Sequence, residues 1–315
     1  MDAHRIQVGN PADISPNPSL WASLITPITT LTPTRQLVLI LFATILILLN
    51  AAFFRLASVL TREPICRRPP PSSQNPTHLL IVLGSGGHTA EMLNILSQYR
   101  QLALDFTHRT YVVSSGDGFS ALKAHEFESL MLPELTSSAS SLSTAAAARD
   151  DKVSKSYDVV TVHRARRVHQ SIISAPISSL HCLWDCIAVL RCTHSDFQPQ
   201  AQDDRRRRPT YPDLILTNGP GTGVIVILAS IILLFFGFAG PSPSLSRSKS
   251  APTSTTLHSQ AGQMRSVFIE SWARVKTLSL SGRLLKPFVD RFLVQWPQLV
   301  ETEGGKVEYI GPLVT

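Results

Sequence analysis

The stretch Leu83-Gly84-Ser85-Gly86-Gly87-His88-Thr89 decides how this chain folds. It follows an apolar run, His78 to Leu83, and precedes a helical pattern, Thr89 to Leu104. A strand that turns through glycines into a helix makes a phosphate site. The glycines let the backbone bend tightly and let a ligand approach, and the helix N-terminus offers free N–H groups and partial positive charge. His88 stands at the mouth of that site, and an apolar segment of membrane length lies a short tether upstream. The combination points to a phosphorylated ligand held at a membrane surface.

Working outward, short β-branched runs alternate with helical patterns. Strands are expected at 78–83, 110–114, 158–162, 213–217, 267–270 and 307–310. Helices are expected at 89–104, 119–130, 167–192, 223–238 and 283–293. Such alternation predicts an α/β fold with a Rossmann-like, doubly wound parallel sheet. Its ligand belongs at the C-terminal ends of the strands, in loops 84–89, 114–118, 163–168, 218–223 and 270–274. Three low-complexity stretches, 134–156, 194–211 and 240–262, read as flexible surface insertions.

The loops carry the chemistry. Asn218-Gly219-Pro220-Gly221-Thr222-Gly223 is a second glycine-rich turn between strand and helix, so two helix N-termini can share one diphosphate. His163-Arg164-Ala165-Arg166-Arg167 supplies cations. Glu270-Ser271-Trp272-Ala273-Arg274 sets a carboxylate at a strand end with an arginine behind it. This set suits a sugar diphosphate. Glu270 also reads as a helix cap or a partner of Arg274, and His88 as a local cap; both readings stay open. A dinucleotide is disfavoured: Thr89 stands where the fingerprint wants its third glycine, and the second strand ends Val113-Ser114-Ser115 with no carboxylate for a ribose. No Asp-x-Asp motif is present for a metal-dependent sugar transferase. No cofactor and no metal ligands are assigned.

The 315 residues carry a net charge of +7, with Arg205 to Arg208 and Arg164, Arg166 and Arg167 as clusters. No aromatic platform interleaves them, so nucleic acid is not expected as a partner. Four cysteines fit a reducing compartment. His181, Cys182, Cys186, Cys192 and His194 match no common zinc spacing and lie in an apolar helical run. Gln36 to Phe54 is free of charge and just long enough to cross a bilayer core of about 30 Å. Residues 1–34 are then a lumenal tail, 35–56 a transmembrane signal anchor and 57–77 a Pro-rich tether. The cationic excess after the span, at Arg55, Arg62, Arg67 and Arg68, places residues 78–315 in the cytosol. A second apolar run, Val224 to Phe238, reads as a helix buried in the fold or dipping into the bilayer rather than a second crossing.

These loops together resemble a known family: the membrane-anchoring subunit of the UDP-N-acetylglucosamine transferase that makes chitobiosyl-diphosphodolichol for protein N-glycosylation. The matching stretches are Gly84 to Met92, Arg164 to Ser171, Asn218 to Thr222, and Phe268-Ile269-Glu270-Ser271-Trp272-Ala273-Arg274-Val275-Lys276 continuing through Pro297. The resemblance implies the acceptor-binding half of a GT-B glycosyltransferase. The donor-binding half would be a separate soluble catalytic subunit, the partner of this chain. It further implies the endoplasmic reticulum membrane, with the nuclear envelope as a further location, and a dolichol-linked sugar diphosphate as ligand. On this resemblance Gly84, Ser85, Gly86, Gly87 and Thr89 bind the acceptor diphosphate, with Arg164 and Arg274 as cationic support. Asn218, Gly219, Gly221 and Thr222 belong to the same diphosphate-binding set, with Asn218 and Gly219 shaping the pocket floor. His88 hydrogen-bonds the acceptor or serves as base, Glu270 is the other catalytic candidate, and 303–315 is the candidate docking segment. Two other readings remain: a single-chain nucleotide-dependent membrane enzyme, and a scaffold whose glycine loop is vestigial.

Overall fold

His78 to Val82 is hydrophobic on both alternating faces, the pattern of a strand covered on two sides. In the computed structural model it forms β1 (His78–Val82), buried throughout. The structure describes residues 32–62, 77–131, 157–166, 175–197, 211–219, 221–238 and 262–312. Most of the expected tail 1–34 (1–31), most of the tether (63–76) and the bulk of the three insertions (132–156, 198–210, 239–261) lie outside the described residues, as do 167–174 of the third-loop motif, residue 220 of the fourth loop and 313–315 of the docking segment.

Helix α1 (Pro33–Leu60) has 28 residues, about 42 Å at ~1.5 Å per residue. Among the described residues it is the one helix long and apolar enough to cross a membrane. Leu37, Phe42 and Phe53 stand exposed on it. A helix that is apolar all round has no polar face for water and suits lipid. The chain divides at this helix into Met1–Ala57 and Ser58–Thr315.

The second unit is the α/β domain. After β1 come α2 (Gly87–Gln98), α3 (Leu102–Asp105), β2 (His108–Ser114), α4 (Gly118–Glu126) and a π-helical turn, Phe127–Met131. Then follow β3 (Tyr157–Val162), α5 (Ala175–Leu190), β4 (Leu214–Thr217), α6 (Thr222–Phe235) and β5 (Arg265–Ile269). The domain finishes with α7 (Leu280–Leu285), β6 (Arg291–Val294), α8 (Pro297–Glu303) and β7 (Val307–Tyr309). The seven strands order as β3-β2-β1-β4-β5-β6-β7, and every neighbouring pair is parallel. Strand alternation divides the core. Leu79, Ile81 and Leu83 face Met92 and Leu96 of α2. Leu80 and Val82 face the layer of α5 and α6, with Cys182, Val226 and Ile227. Thus the second apolar run folds as α6, whose Val226, Ile227, Ala229 and Leu233 are buried in this core. The chain enters the domain through Val59, which joins the same core layer. Arg62 follows, donating to the carbonyls of Gln263 at 2.8 Å and Met264 at 3.3 Å and to Asp290 at 2.9 Å.

One expectation is corrected. The apolar spacing of Leu284, Leu285, Phe288, Val289 and Phe292 suggests a helix over 283–293, but the chain forms only the short α7 and then β6. Pro287 lacks an N–H and its ring clashes with the carbonyl four residues back, so the helix stops before it. Phe292-Leu293-Val294 then pairs with β5 and β7. Phe268 and Phe292 stack across β5 and β6 with ring centroids 5.1 Å apart. Helix α8, opened by Pro297 in its first turn, is a position proline favours and was not among the expected elements.

Behind β2 lies a fully buried ion pair. Arg109 Nε and Nη2 donate to Glu128 Oε1 and Oε2 at 2.7 and 2.9 Å, and Tyr111 donates its hydroxyl proton to Oε1 at 2.7 Å. Glu128→Ala strands a buried guanidinium and is expected to cost about 3–5 kcal/mol of stability in urea unfolding. Replacing Arg109, Tyr111 and Glu128 together by apolar residues is expected to cost less than that single change.

Candidate functional site

The strand order turns between β1 and β4: β2 and β3 lie on one side of β1, and β4 to β7 on the other. In an open α/β sheet the crevice at such a switch, above the C-terminal strand ends, is where ligands bind. Two glycine loops meet there. A Cβ on Gly219 would sit 3.1 Å from the Gly84 Cα, and one on Gly84 would sit 2.7 Å from the His88 Cβ. The loops therefore cross backbone to backbone, with no room for a side chain at either crossing point. Each loop then opens a helix through a glycine with positive φ, Gly86 at 60° before α2 and Gly221 at 47° before α6. Side-chain-bearing residues rarely adopt that conformation.

Buried hydroxyls hold the turns in place. Thr89 Oγ1 donates to the Gly84 carbonyl, which also accepts from Ser120 Oγ at 3.2 Å. Ser114 on β2 and Thr222 on α6 share a hydrogen bond of 2.7 Å across the crevice floor. Gly223 packs its Cα hydrogen edge directly against Thr217 Oγ1, leaving no space for a methyl group.

The result is a cavity of about 1150 Å³. Gly84, Ser85, Gly87, His88, Arg164, Asn218, Gly219, Gly221, Thr222, Glu270 and Arg274 all line it. Gly86 and Thr89 do not: Gly86 is the turn itself, and Thr89 is wholly buried beneath the loop. Arg164 is fixed by Nε donating to the Ser115 carbonyl at 2.6 Å, while Arg274 is exposed at the rim. Two helix N-termini and these guanidinium groups give one end of the cavity the donors and positive charge that suit an anion.

Glu270 faces the cavity but is occupied. Its Oε2 accepts from Ser279 N at 3.1 Å and Ser279 Oγ at 3.2 Å, and its Oε1 accepts from Ser271 N at 3.3 Å. Ser279 in turn caps α7 by accepting from Gly282 N. The carboxylate thus closes the loop 270–279 onto itself. Burial pushes its pKa above the ordinary carboxylate value, against the opposing pull of the Ser279 and Ser271 donors and of Arg274.

A residue that the sequence pattern did not single out joins these loops. Glu91, on α2 one turn after His88, is 8 % exposed. Its Oε1 accepts from Trp272 N at 2.7 Å and from Gln295 Nε2 at 2.6 Å. Its Oε2 faces Asn218 Nδ2 at 3.5 Å, and that amide also donates to the His88 carbonyl at 2.9 Å. One carboxylate therefore ties together the loops after β1, β4 and β5 and the end of β6. The signal available in sequence was its i+3 spacing from His88, which puts both on one helix face. Nearby, Trp272 and Trp296 pack with centroids 4.3 Å apart, and Trp296 Nε1 donates to the Trp272 carbonyl at 2.7 Å.

Comparison with known proteins supplies a family. Residues 79–313 match the model described as oligosaccharide biosynthesis protein Alg14 like. The chain belongs to the Alg14-like family. It is 41% identical over 241 residues to the UDP-N-acetylglucosamine transferase subunit alg14 of Aspergillus fumigatus, covering 70% of this chain and 100% of that protein. It is 35% identical over 237 residues to the Schizosaccharomyces pombe protein of the same name, covering 74% and 82%. The Mus musculus protein, UDP-N-acetylglucosamine transferase subunit ALG14, is 31% identical over 280 residues, covering 88% and 99%. The matched span of the Alg14-like model contains all the cavity-lining residues described above.

Two outcomes check this geometry. Gly84→Ala forces a methyl group against His88 and is expected to lower stability by about 1–3 kcal/mol in urea unfolding. For Glu270 the folded pKa lies above the ordinary value of 4.5, so the folded state holds this proton to higher pH than the unfolded chain. The stability of the native protein relative to Glu270→Gln is therefore expected to fall as pH rises from 4.5 through the raised folded value, then level off. Thermal melts of both proteins across that range measure the difference.

Proposed function

We propose that this chain is the membrane-anchored, acceptor-binding subunit of a UDP-N-acetylglucosamine transferase. It holds GlcNAc-diphosphodolichol at the cytosolic face of the endoplasmic reticulum membrane. It recruits a soluble catalytic subunit, which carries the donor, and together they add the second GlcNAc. The observation that carries this reading is the cavity at the β1/β4 switch, where two glycine-gated helix N-termini converge with Arg164 and Arg274. A diphosphate satisfies both helix ends at once, and the cavity is large enough to hold an attached sugar as well. Membership of the Alg14-like family and the subunit names of its relatives support the assignment. The apolar helix α1 supports the membrane location. An anchor keeps the cavity in the layer where a lipid-linked sugar is concentrated, replacing a three-dimensional search by a local one.

In this reading His88, on the cavity wall between the diphosphate and the partner, takes the proton from the acceptor hydroxyl as the new glycosidic bond forms. The segment 303–315 is the proposed docking element for the partner.

The test is sugar transfer from UDP-GlcNAc to a GlcNAc-diphospholipid in membranes carrying this chain, with and without the soluble subunit. Transfer is expected only when both are present; transfer by this chain alone contradicts the two-subunit reading. Gly86→Asp strains the positive φ that opens α2 and sets a carboxylate beside the helix N-terminus proposed to meet the diphosphate. It is expected to raise the acceptor KM at least about tenfold, since even ~1.4 kcal/mol is a factor of ten, while the soluble subunit still pellets with the membranes.

A further inference from the structure

The two oxygens of Glu91 are unequally used. Oε1 is filled by Trp272 N and Gln295 Nε2. Oε2 has a long contact with Asn218 Nδ2 and lies 3.9 Å from His88 Nδ1. That Nδ1 atom is sealed from solvent and makes no hydrogen bond. The His88 side chain as a whole is nevertheless 33% exposed and lines the cavity. The open edge of the ring is therefore its Nε2 side. The backbone of His88 is pinned as well, because its carbonyl accepts from Asn218.

A neutral imidazole carries one proton, and the group each nitrogen faces decides which one holds it. An ionised carboxylate only accepts, so the nitrogen turned toward Glu91 is the protonated one. We propose that Glu91 is a positioning residue for His88. It keeps the proton on Nδ1 and leaves Nε2 bare toward the cavity, ready to act as base. This rests on the reading of His88 as the base. In the transfer step the acceptor O–H bond breaks and its proton goes to Nε2. The acceptor oxygen forms the bond to the sugar carbon, and the sugar–phosphate bond breaks with its electron pair leaving on the nucleoside diphosphate. The imidazolium so formed closes on Oε2 as a charge-assisted hydrogen bond, shorter than the present 3.9 Å separation. The arrangement follows the general logic of a base oriented by a third group.

Glu91→Gln separates this role from the structural one. Glutamine keeps an oxygen for Trp272 and Gln295, gives up only the long 3.5 Å contact from Asn218 Nδ2, and presents an NH2 group to Nδ1. The ring then turns to the tautomer with its proton on Nε2, which cannot accept. In the two-subunit membrane assay, Glu91→Gln is expected to lower kcat about 10²-fold or more, the scale of a general base. The acceptor KM is expected to stay within about threefold, the pattern of an interaction made only in the transition state. The double variant His88→Ala/Glu91→Gln is expected to be no slower than His88→Ala, because Glu91 acts only through the histidine. A native-like kcat in Glu91→Gln, or a double variant slowed by the product of the two single effects, overturns the inference while an inactive His88→Ala preserves the base reading. A fully active His88→Ala overturns the base reading itself. Independently of any variant, the ¹⁵N shifts of His88 in the full chain in micelles are expected to show a protonated Nδ1 and a bare Nε2; the opposite tautomer overturns the inference.

Discussion

The site depends on one close approach. The loops leaving β1 and β4 cross with Gly219 against Gly84, where a Cβ would come within 3.1 Å of the opposing Cα. A parallel sheet whose order turns between those strands leaves a crevice above them, and only loops without side chains at the crossing can share it. That contact brings two helix N-termini toward one volume. Helices α2 and α6 otherwise lie on opposite faces of the sheet, α2 over Ile81 and α6 over Leu80. Loops that could not touch would keep those two N-termini apart.

Around that crossing the polar groups divide the work. One end of the cavity is lined by the two glycine loops and by arginines at the β2 loop and the β5 rim. Two carboxylates tie the surrounding loops together. Glu270 closes its own loop onto Ser279, and Glu91 bridges α2 to Trp272, Asn218 and Gln295. Buried carboxylates are tolerated when donors such as these offset their desolvation. Their cost is offset by the rigidity they give to four strand ends that no secondary structure connects at this level.

Much of this was legible in the sequence, and for physical reasons. The β1 run and the glycine loop after it are local signals, and a strand–glycine–helix junction has few other uses. The same holds for Asn218 to Gly223, and for α1, an uninterrupted apolar segment long enough to cross a membrane. What stayed hidden needed three-dimensional contact. Phe288, Val289 and Phe292 fit a helical face as well as a strand until Pro287 is weighed as a stop. Thr89 reads as a ligand-facing cap from its position, yet its hydroxyl turns inward to the Gly84 carbonyl. Glu91 reads as an ordinary charged helix residue, because its partners lie 127, 181 and 204 positions away in the chain. The family resemblance and the Alg14-like match agree on the α/β domain, residues 79–313, and α1 lies outside that span.

The central claim is that one diphosphate bridges both glycine loops. The direct measurement is a ¹⁵N amide titration of the full chain in micelles with a short-chain prenyl-diphospho-GlcNAc. The account predicts that amides of 85–89 and of 219, 221 and 222 shift together, with one shared saturation curve. Shifts confined to one loop, or centred outside the crevice, would contradict it.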